Sequence, residues 1–228
     1  MSGAALKGAD VTTLRHKVRR VLNDPTAPGS LSSRARAKRW SELMSRFPDL
    51  AALRVLDLGG LPSFWRAAQT RPAELTTVNL VEAEAPEPWI RHLVDDACAP
   101  GQIEGERFDL VVSNSLLEHV GGYAPRRDLA EVIRGAAPRH WVQTPYRYFP
   151  IEPHWMFPGL QFLPTAARAA AIRHWPLGYS RLSGDDATDA VLATELVSIT
   201  ELRLLFPDSD IWHERAAGLT KSIVAVRT

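Results

Sequence analysis

The chain of 228 residues contains one cysteine, Cys98, which excludes an intramolecular disulfide framework and any zinc site built from cysteine alone. No apolar run approaches the ~18–20 residues that a membrane span needs. The opening stretch, MSGAALKGADVTTLRHKVRR, is polar and basic and lacks the apolar core of a secretory signal. Neither sign of charge dominates, since 27 Lys/Arg face 26 Asp/Glu. No repeat or low-complexity tract is present. What is there is ordinary globular composition, 45% hydrophobic and 23% charged, in a chain long enough to bury a core without disulfide staples. These features predict a soluble, cytoplasmic protein of one domain, or of one domain with a cap.

The small net charge hides an asymmetry. Residues 1–50 carry ten Lys/Arg against four Asp/Glu, whereas residues 51–228 carry 17 against 22. A basic segment of this kind can bind nucleic acid or an anionic substrate. It can equally be the solvated face of two helices, and no aromatic interleaving or RNA-binding motif accompanies it.

Periodicity divides the chain. Helices are expected over about 10–22 and 32–47, with Leu14, Val18, Val21 and Leu22 on one face of the first and the turn-forming NDPTAPGS between them. From Arg54 onward, buried-strand patterns at 54–59, 75–81, 92–96, 108–114 and 140–145 alternate with helical ones, notably 63–70 and 125–136. Such alternation implies right-handed crossovers and a mostly parallel sheet covered on both faces. Residues 146–164, YRYFPIEPHWMFPGLQFLP, hold four prolines among many aromatic rings and fit neither regular helix nor regular strand. A loop of this kind after a strand end either contacts ligand or simply covers the sheet edge. Further helices are expected over 163–175 and 199–207, and two antiparallel strands close the chain.

The sharpest local motif is VLDLGG at 55–60. Glycines at a strand-to-helix turn let the backbone approach a nucleoside closely. Leu61, Pro62 and Ser63 follow in place of the further glycines of a pyrophosphate cradle, which points to a nucleoside ligand without a pyrophosphate.

With VNLVE (78–82), DDA (95–97) and FDLVVSNSLLEHV (108–120) at the later strand ends, the stretch from Arg54 to Thr144 resembles the class I S-adenosylmethionine (SAM)-dependent methyltransferases. The remainder, through QTPYRYFPIEPHWMFPGLQFLP (143–164) and LTKSIVAVR (219–227), is similar to a narrower bacterial subgroup that includes the sugar O-methyltransferases of mycobacterial methylmannose polysaccharide synthesis. The resemblance implies an α/β fold: a seven-stranded, mostly parallel, Rossmann-like sheet with helices on both faces and N-terminal cap helices. Residues 1–50 would form the cap and 51–228 the methyltransferase domain.

The resemblance also assigns residues. Asp57, Leu58, Gly59 and Gly60 would line the methionine moiety of SAM. Asn79, with Leu80 beside it, occupies the place of the acid that holds the ribose hydroxyls, and Glu82 is the other candidate. Asp96 would accept from the adenine amino group, with Ala97 beside it, and Ser113 and Asn114 would meet the sulfonium and its methyl group.

Methyl transfer from SAM requires alignment and exclusion of water, and a hydroxyl acceptor also needs its proton removed. Some SAM-dependent O-methyltransferases hold a divalent metal with a Glu-x-x-Glu-His pattern after the fourth strand. Here Glu118 and His119 match its end, and Ser115 replaces its first glutamate. His154 could supply a third ligand for Mg²⁺ or a first-row metal. Alternatively, His119 or His154 transfers the proton while Glu118 shapes the pocket. Tyr146, Tyr148, Glu152 and Trp155 are the candidate acceptor contacts. His16, His92, His140 and His213 read as structural or exposed, and Trp40, Trp65, Trp141 and Trp175 as core.

The expected function is O-methylation of a small hydroxylated metabolite, most specifically a partly methylated mannoside. A nucleic-acid methyltransferase using the basic segment, and a SAM-binding protein without catalysis, are the alternatives.

Overall fold

A computed structural model describes residues 31–175 and 183–228. The helix expected over 10–22, with His16, lies outside the described residues. The chain runs α1 (Leu31–Arg46), β1 (Arg54–Leu58), α2 (Pro62–Arg66), β2 (Glu74–Asn79), β3 (Ile90–Val94), β4 (Leu110–Asn114), α3 (Tyr123–Ala136) and β5 (Arg139–Pro145). It continues through β6 (Ile151–Glu152), β7 (Phe157–Pro158), α4 (Thr165–His174), α5 (Gly184–Leu192), α6 (Ile199–Leu205), β8 (Asp210–Ala216) and β9 (Leu219–Arg227).

The large sheet has the order β3-β2-β1-β4-β5-β9-β8. Strands β1 to β5 pair in parallel, whereas β9 runs antiparallel to β5 and β8 antiparallel to β9. The chain therefore reverses direction across the sheet between β1 and β4, where all parallel strand ends point the same way. Ligands of open α/β sheets bind at such a switch point. This is the seven-stranded, mostly parallel Rossmann-like sheet that the resemblance implied.

Strand alternation explains why both faces are covered. Along β1, Val55 joins one apolar cluster while Leu56 and Leu58 join the other. Along β4 and β5, Val112 and Trp141 face the first cluster, and Val111 and Val142 the second. The first face is closed by Leu43 and Phe47 at the end of α1 and by Trp65 of α2. The second is closed by Leu129, Ala130 and Ile133 of α3 and by Leu202 and Leu205 of α6. Helix α1 thus packs directly on the sheet, whose core includes its last turn.

A third, smaller cluster stands apart. Trp155 and Leu160 of the aromatic loop pack with Ala169 and Ile172 of α4 and with Ala187 and Val191 of α5. The loop, expected to be neither regular helix nor regular strand, contains a small hairpin, β6 against β7. No described helix is long and apolar enough to cross a membrane.

Candidate functional site

The parallel strands end in a row of polar side chains. At the end of β1, Asp57 is 2% exposed and its Oδ2 accepts from Trp65 Nε1 at 2.7 Å. Its other oxygen, Oδ1, is buried without a partner. Burial pushes the carboxyl up to about 7, although the Trp65 hydrogen bond opposes the shift. Position 60 must be glycine, because a Cβ there would sit 1.8 Å from Asp57 Oδ2. Gly59 has a φ of +84°, and a Cβ on it would press on the Leu116 side chain at 3.0 Å. The motif is therefore a close-approach turn wrapped around a buried carboxylate that has one oxygen to spare.

Asn79, at the end of β2, braces that turn. Its Nδ2 donates to Gly59 O at 2.7 Å and to Gly60 O at 3.4 Å, while its Oδ1 accepts from Val81 N at 3.1 Å. A carboxylate could not donate to those carbonyls, which is a physical reason for an amide here. Leu80 and Glu82 are exposed beside it. His92 spans β3 to the same region, with Nδ1 on Thr77 Oγ1 at 2.8 Å and Nε2 on Val81 O at 2.9 Å. Both ring nitrogens have partners, as a structural histidine requires.

After β3, Asp96 is exposed and its Oδ1 accepts from Cys98 N at 2.9 Å, while Ala97 is buried. At the end of β4, Ser113 is buried and its Oγ donates to Leu58 O at 3.0 Å, tying β4 to β1. Asn114 is half-buried, with Oδ1 accepting from Trp141 Nε1 at 3.4 Å. Ser115 follows at a φ of +55°, a left-handed conformation that costs a non-glycine residue roughly 1 kcal/mol or more. It is held there by Ser115 N donating to Gln143 O at 2.9 Å and Ser115 Oγ to Gln143 Oε1 at 3.1 Å.

The strand-end row continues into a second group. The 3-10 turn Leu117–His119 follows β4, and Glu118 within it is fully buried. Thr144 Oγ1 of β5 donates to Glu118 Oε2 at 2.9 Å, and Glu118 Oε1 has no partner. Desolvation raises the Glu118 carboxyl above the usual carboxylate range. His119 is exposed, with Nδ1 on Ala193 O at 3.4 Å and near Thr194 Oγ1 at 3.5 Å. His154, from the aromatic loop, places its ring edge-on to His119 with centroids 4.9 Å apart.

His154 Nδ1 pairs with Glu152 Oε1 at 2.7 Å, and Glu152 Oε2 accepts from Trp155 N at 2.7 Å. Burial acts to lower the His154 imidazole, but the Glu152 hydrogen bond and the charges of Glu152 and Glu118 outweigh it and hold it above its ordinary value. One oxygen or nitrogen from each of Glu118, His119 and His154 lies within 4.8 Å of the other two. Three residues from two segments, the turn after β4 and the aromatic loop, thus converge.

Buried Arg126 of α3 holds the base of this group. It donates to Leu117 O at 3.0 Å, Glu195 O at 2.8 Å, Glu195 Oε2 at 3.0 Å and Glu201 Oε1 at 2.6 Å. Residue-by-residue reading did not single out Arg126, Thr144 or Gln143, and noted Ser115 only as the replacement of a glutamate. Their roles depend on which strands are neighbours, and no local motif marks them.

The candidate acceptor contacts separate into two kinds. Tyr146 is half-buried and Tyr148 is exposed, stacked on Phe162 with centroids 6.1 Å apart. Trp155 instead belongs to the small third core, where its carbonyl accepts from Trp175 Nε1 at 2.9 Å. Beside it a cavity of about 80 Å³ is lined by Arg147, Glu152, Gln161 and Arg168 among others.

No family model matches the chain, and no curated protein matches it. Solved structures do. The chain is similar to magnesium protoporphyrin IX methyltransferase (ChlM) from Synechocystis PCC 6803 with bound SAM, at 13% identity and a TM-score of 0.51, covering 100% of both chains. It is similar to N-methyltransferase NodS from Bradyrhizobium japonicum WM9 in complex with S-adenosylhomocysteine (SAH), at 11% identity and a TM-score of 0.52, covering 93% of this chain and 96% of that one. The N-terminal domain of EvdMO1, in the presence of SAH and D-fucose, matches at 15% identity and a TM-score of 0.51, covering 99% and 98%. The shared feature is the class I methyltransferase fold.

Proposed function

We propose that this chain is a SAM-dependent O-methyltransferase acting on a hydroxyl of a small metabolite, with residues 1–50 capping the domain 51–228. The observation that carries the reading is the row of polar groups along one sheet edge, in which a glycine turn around Asp57 is followed by the Glu118–His119–His154 cluster. SAM supplies an already activated methyl group, whose C–S bond breaks as the acceptor O–C bond forms and whose acceptor must give up its hydroxyl proton.

This chain's residues would divide that work. Asp57 Oδ1 is a buried, unpartnered acceptor, suited to the ammonium of the methionine moiety, and the turn it shares with Gly59 and Gly60 leaves room for the donor. Asn79 and Glu82 stand at the ribose, with Leu80 beside them, and Asp96 and Ala97 at the adenine. Ser113 and Asn114 border the sulfonium. His154 faces the acceptor side, where it would take the hydroxyl proton, and Glu152 fixes its tautomer and favours the protonated product.

The same cluster fits a divalent metal. Each histidine has Nδ1 turned to an oxygen, which leaves Nε2 to ligate, and Glu118 offers its orphaned Oε1. Carboxylate–histidine pairs of the Glu152–His154 kind are the usual support of metal-bound imidazoles, and two histidines with one carboxylate suit a first-row metal better than Mg²⁺. Such an ion supplies Lewis acidity toward a bound hydroxyl. Removal of metal therefore decides between two roles for His154, ligand or proton acceptor.

A sugar is the first acceptor class to test. The support is the aromatic lining of the loop, with the exposed Tyr148 and the half-buried Tyr146, and the similarity to EvdMO1, whose structure was obtained with SAH and D-fucose. The test is transfer of labelled methyl from SAM to a panel of hydroxylated sugars, hydroxy acids and phenols, with EDTA and with Mg²⁺, Mn²⁺ or Zn²⁺. Acceptor-dependent SAH release that is lost in His154→Ala supports the reading. Turnover unchanged in a variant lacking all three cluster side chains would refute it.

A further inference from the structure

The strand edge has a second chamber, on the opposite face of the sheet from the histidine cluster. Successive residues of β5 point to opposite faces: Thr144 meets Glu118 on the α3 side, and Gln143 turns toward α1. The chamber has a volume of about 220 Å³ and is lined by Arg36, Arg39, Trp40 and Leu43 of α1, by Phe64, and by Asn114, Ser115, Trp141 and Gln143 at the ends of β4 and β5. At ~30 Å³ per water molecule it would hold a handful of waters, and it is smaller than a drug-sized pocket. It fits a single-ring acceptor and cannot enclose a nucleic-acid segment.

Two independent features define what it would take. The first is a buried donor without a partner. Gln143 is 2% exposed, Ser115 holds its Oε1, and its Nε2 makes no hydrogen bond. An unmade buried hydrogen bond costs ~1–3 kcal/mol, which a ligand acceptor atom would recover.

The second is an excess of positive charge. Arg39 pairs with Glu214 at 3.3 Å, while Arg36 has no carboxylate partner among the described residues. Lys221 of β9 lies close enough to Glu214 and Arg39 to feel both. Two cations, Arg36 and Arg39, thus line the chamber, and no carboxylate does. Burial, followed by the nearby Arg39 charge, holds Arg36 below its usual value. For Lys221, burial lowers the ammonium, with Glu214 opposing and Arg39 reinforcing that shift.

We propose that the chamber binds an oxyanion, a carboxylate or a phosphate, carried by the methyl acceptor, with Arg36 at its mouth and Gln143 Nε2 at its floor. The walls of Trp40, Phe64 and Trp141 then take the ring that bears the acid. Asn114, expected beside the sulfonium, lines the chamber, whereas none of the residues expected at the cofactor's adenine and ribose does, and the floor extends from β4 across β5, beyond the β1–β2–β4 ends where the cofactor would lie. An acceptor anchored there would reach over the ends of β4 and β5 toward His154. This rests on the methyl-transfer reading of the edge, and it narrows the acceptor to acidic hydroxy compounds such as hydroxy acids, uronic acids or sugar phosphates.

The test is calorimetric titration of the full chain, saturated with SAH, by benzoate and benzamide as a matched acid and neutral pair, and by inorganic phosphate. The same titrations are repeated in Arg36→Gln and Gln143→Met, and SAH is titrated separately into each protein. The expected result is that benzoate or phosphate binds at least about tenfold more tightly than benzamide. That preference should fall in both variants, while SAH affinity stays within twofold or so. Equal binding of benzoate and benzamide, or binding of neither acid, overturns the proposal. A parallel loss of SAH affinity in Arg36→Gln also overturns it, because the anion would then be the cofactor's own carboxylate. Acid-selective binding in a protein that fails to bind SAH would sustain the anion site and remove the methyltransferase reading.

Discussion

The two halves of the strand edge are built differently. On the side proposed for the cofactor, polar side chains mostly bond to backbone: Asn79 to the glycine turn, Ser113 to Leu58 O, and His92 to Val81 O as well as to the Thr77 hydroxyl. On the side proposed for the acceptor, charged groups hold one another, Arg126 with Glu195 and Glu201 across long sequence separations and His154 with Glu152 within one loop. Glu118 and Gln143 there have atoms still unmatched. Apart from the spare Asp57 Oδ1, the first half is thus closed by the sheet's own backbone, whereas the second draws on the turn after β4, the aromatic loop, β5 and helices α3 and α6. Loops carried on a rigid scaffold are where specificity varies most easily.

The largest effect that separates the halves should come from Arg126→Ala. The change leaves Glu201 and the Leu117 carbonyl without their buried partner and should cost about 3–5 kcal/mol. Thermal denaturation should show Tm lower by roughly 10 °C. Below that Tm the variant should bind SAH within a fewfold of wild type, and a collapse of SAH affinity would show that the halves are one unit.

Asp57→Asn probes the other half. The Asp57 carboxyl is raised to about 7 in the folded protein against 3.8 ordinarily. The native state therefore holds a proton that the unfolded state has lost between those values, and stability falls as pH rises through that window. Asparagine keeps an acceptor for Trp65 and removes the buried charge. The ligand-free variant should be more stable than wild type at pH 8, by up to about 4 kcal/mol, and should match it near pH 4. Its SAH affinity should drop by tenfold or more. Wild-type SAH affinity should rise from pH 6 to pH 8 and the variant's should not. A variant that is no more stable at pH 8 would mean that Asp57 is ionised without penalty.

His154→Ala should reduce turnover about a hundredfold or more with SAH affinity unchanged, measured as single-turnover methyl transfer and by calorimetry. Normal turnover removes His154 from the chemistry. The smallest effect is expected from Asn79→Ala, which frees the glycine-turn carbonyls at a cost near 1 kcal/mol per hydrogen bond. SAH binding should weaken about tenfold with turnover at saturating SAM preserved, and an unchanged Kd would show that the turn holds itself.

The legibility of these halves in the amino-acid pattern follows the same division. The five parallel strands and the closing hairpin were readable because each is a short apolar run, and VLDLGG was readable because the buried carboxylate and the two glycines fall within four residues, Asp57 to Gly60. Helix α5 was not anticipated. Among the described residues it buries Ala187 and Val191 in a small cluster, too sparse for a periodic signal. Glu118 and His119 were suggested by resemblance and His154 by the aromatic loop's composition, whereas the hydrogen bonds of Thr144, Ser115 and Gln143 were invisible. They arise from the register Asn114↔Gln143 between β4 and β5, and pairing between strands leaves no mark within either strand. The aromatic loop was readable as irregular, but its two-residue strands and the burial of Trp155 depend on α4 and α5 packing beneath it.

The most direct test of the central claim is calorimetric titration of the wild-type chain with SAH, once with EDTA and once with added divalent metal. The account predicts saturable one-to-one binding of similar affinity in both, because the cofactor half is complete without the acceptor cluster. Absence of binding in both would contradict the assignment of this edge to SAM, and binding only with metal would contradict the independence of its two halves.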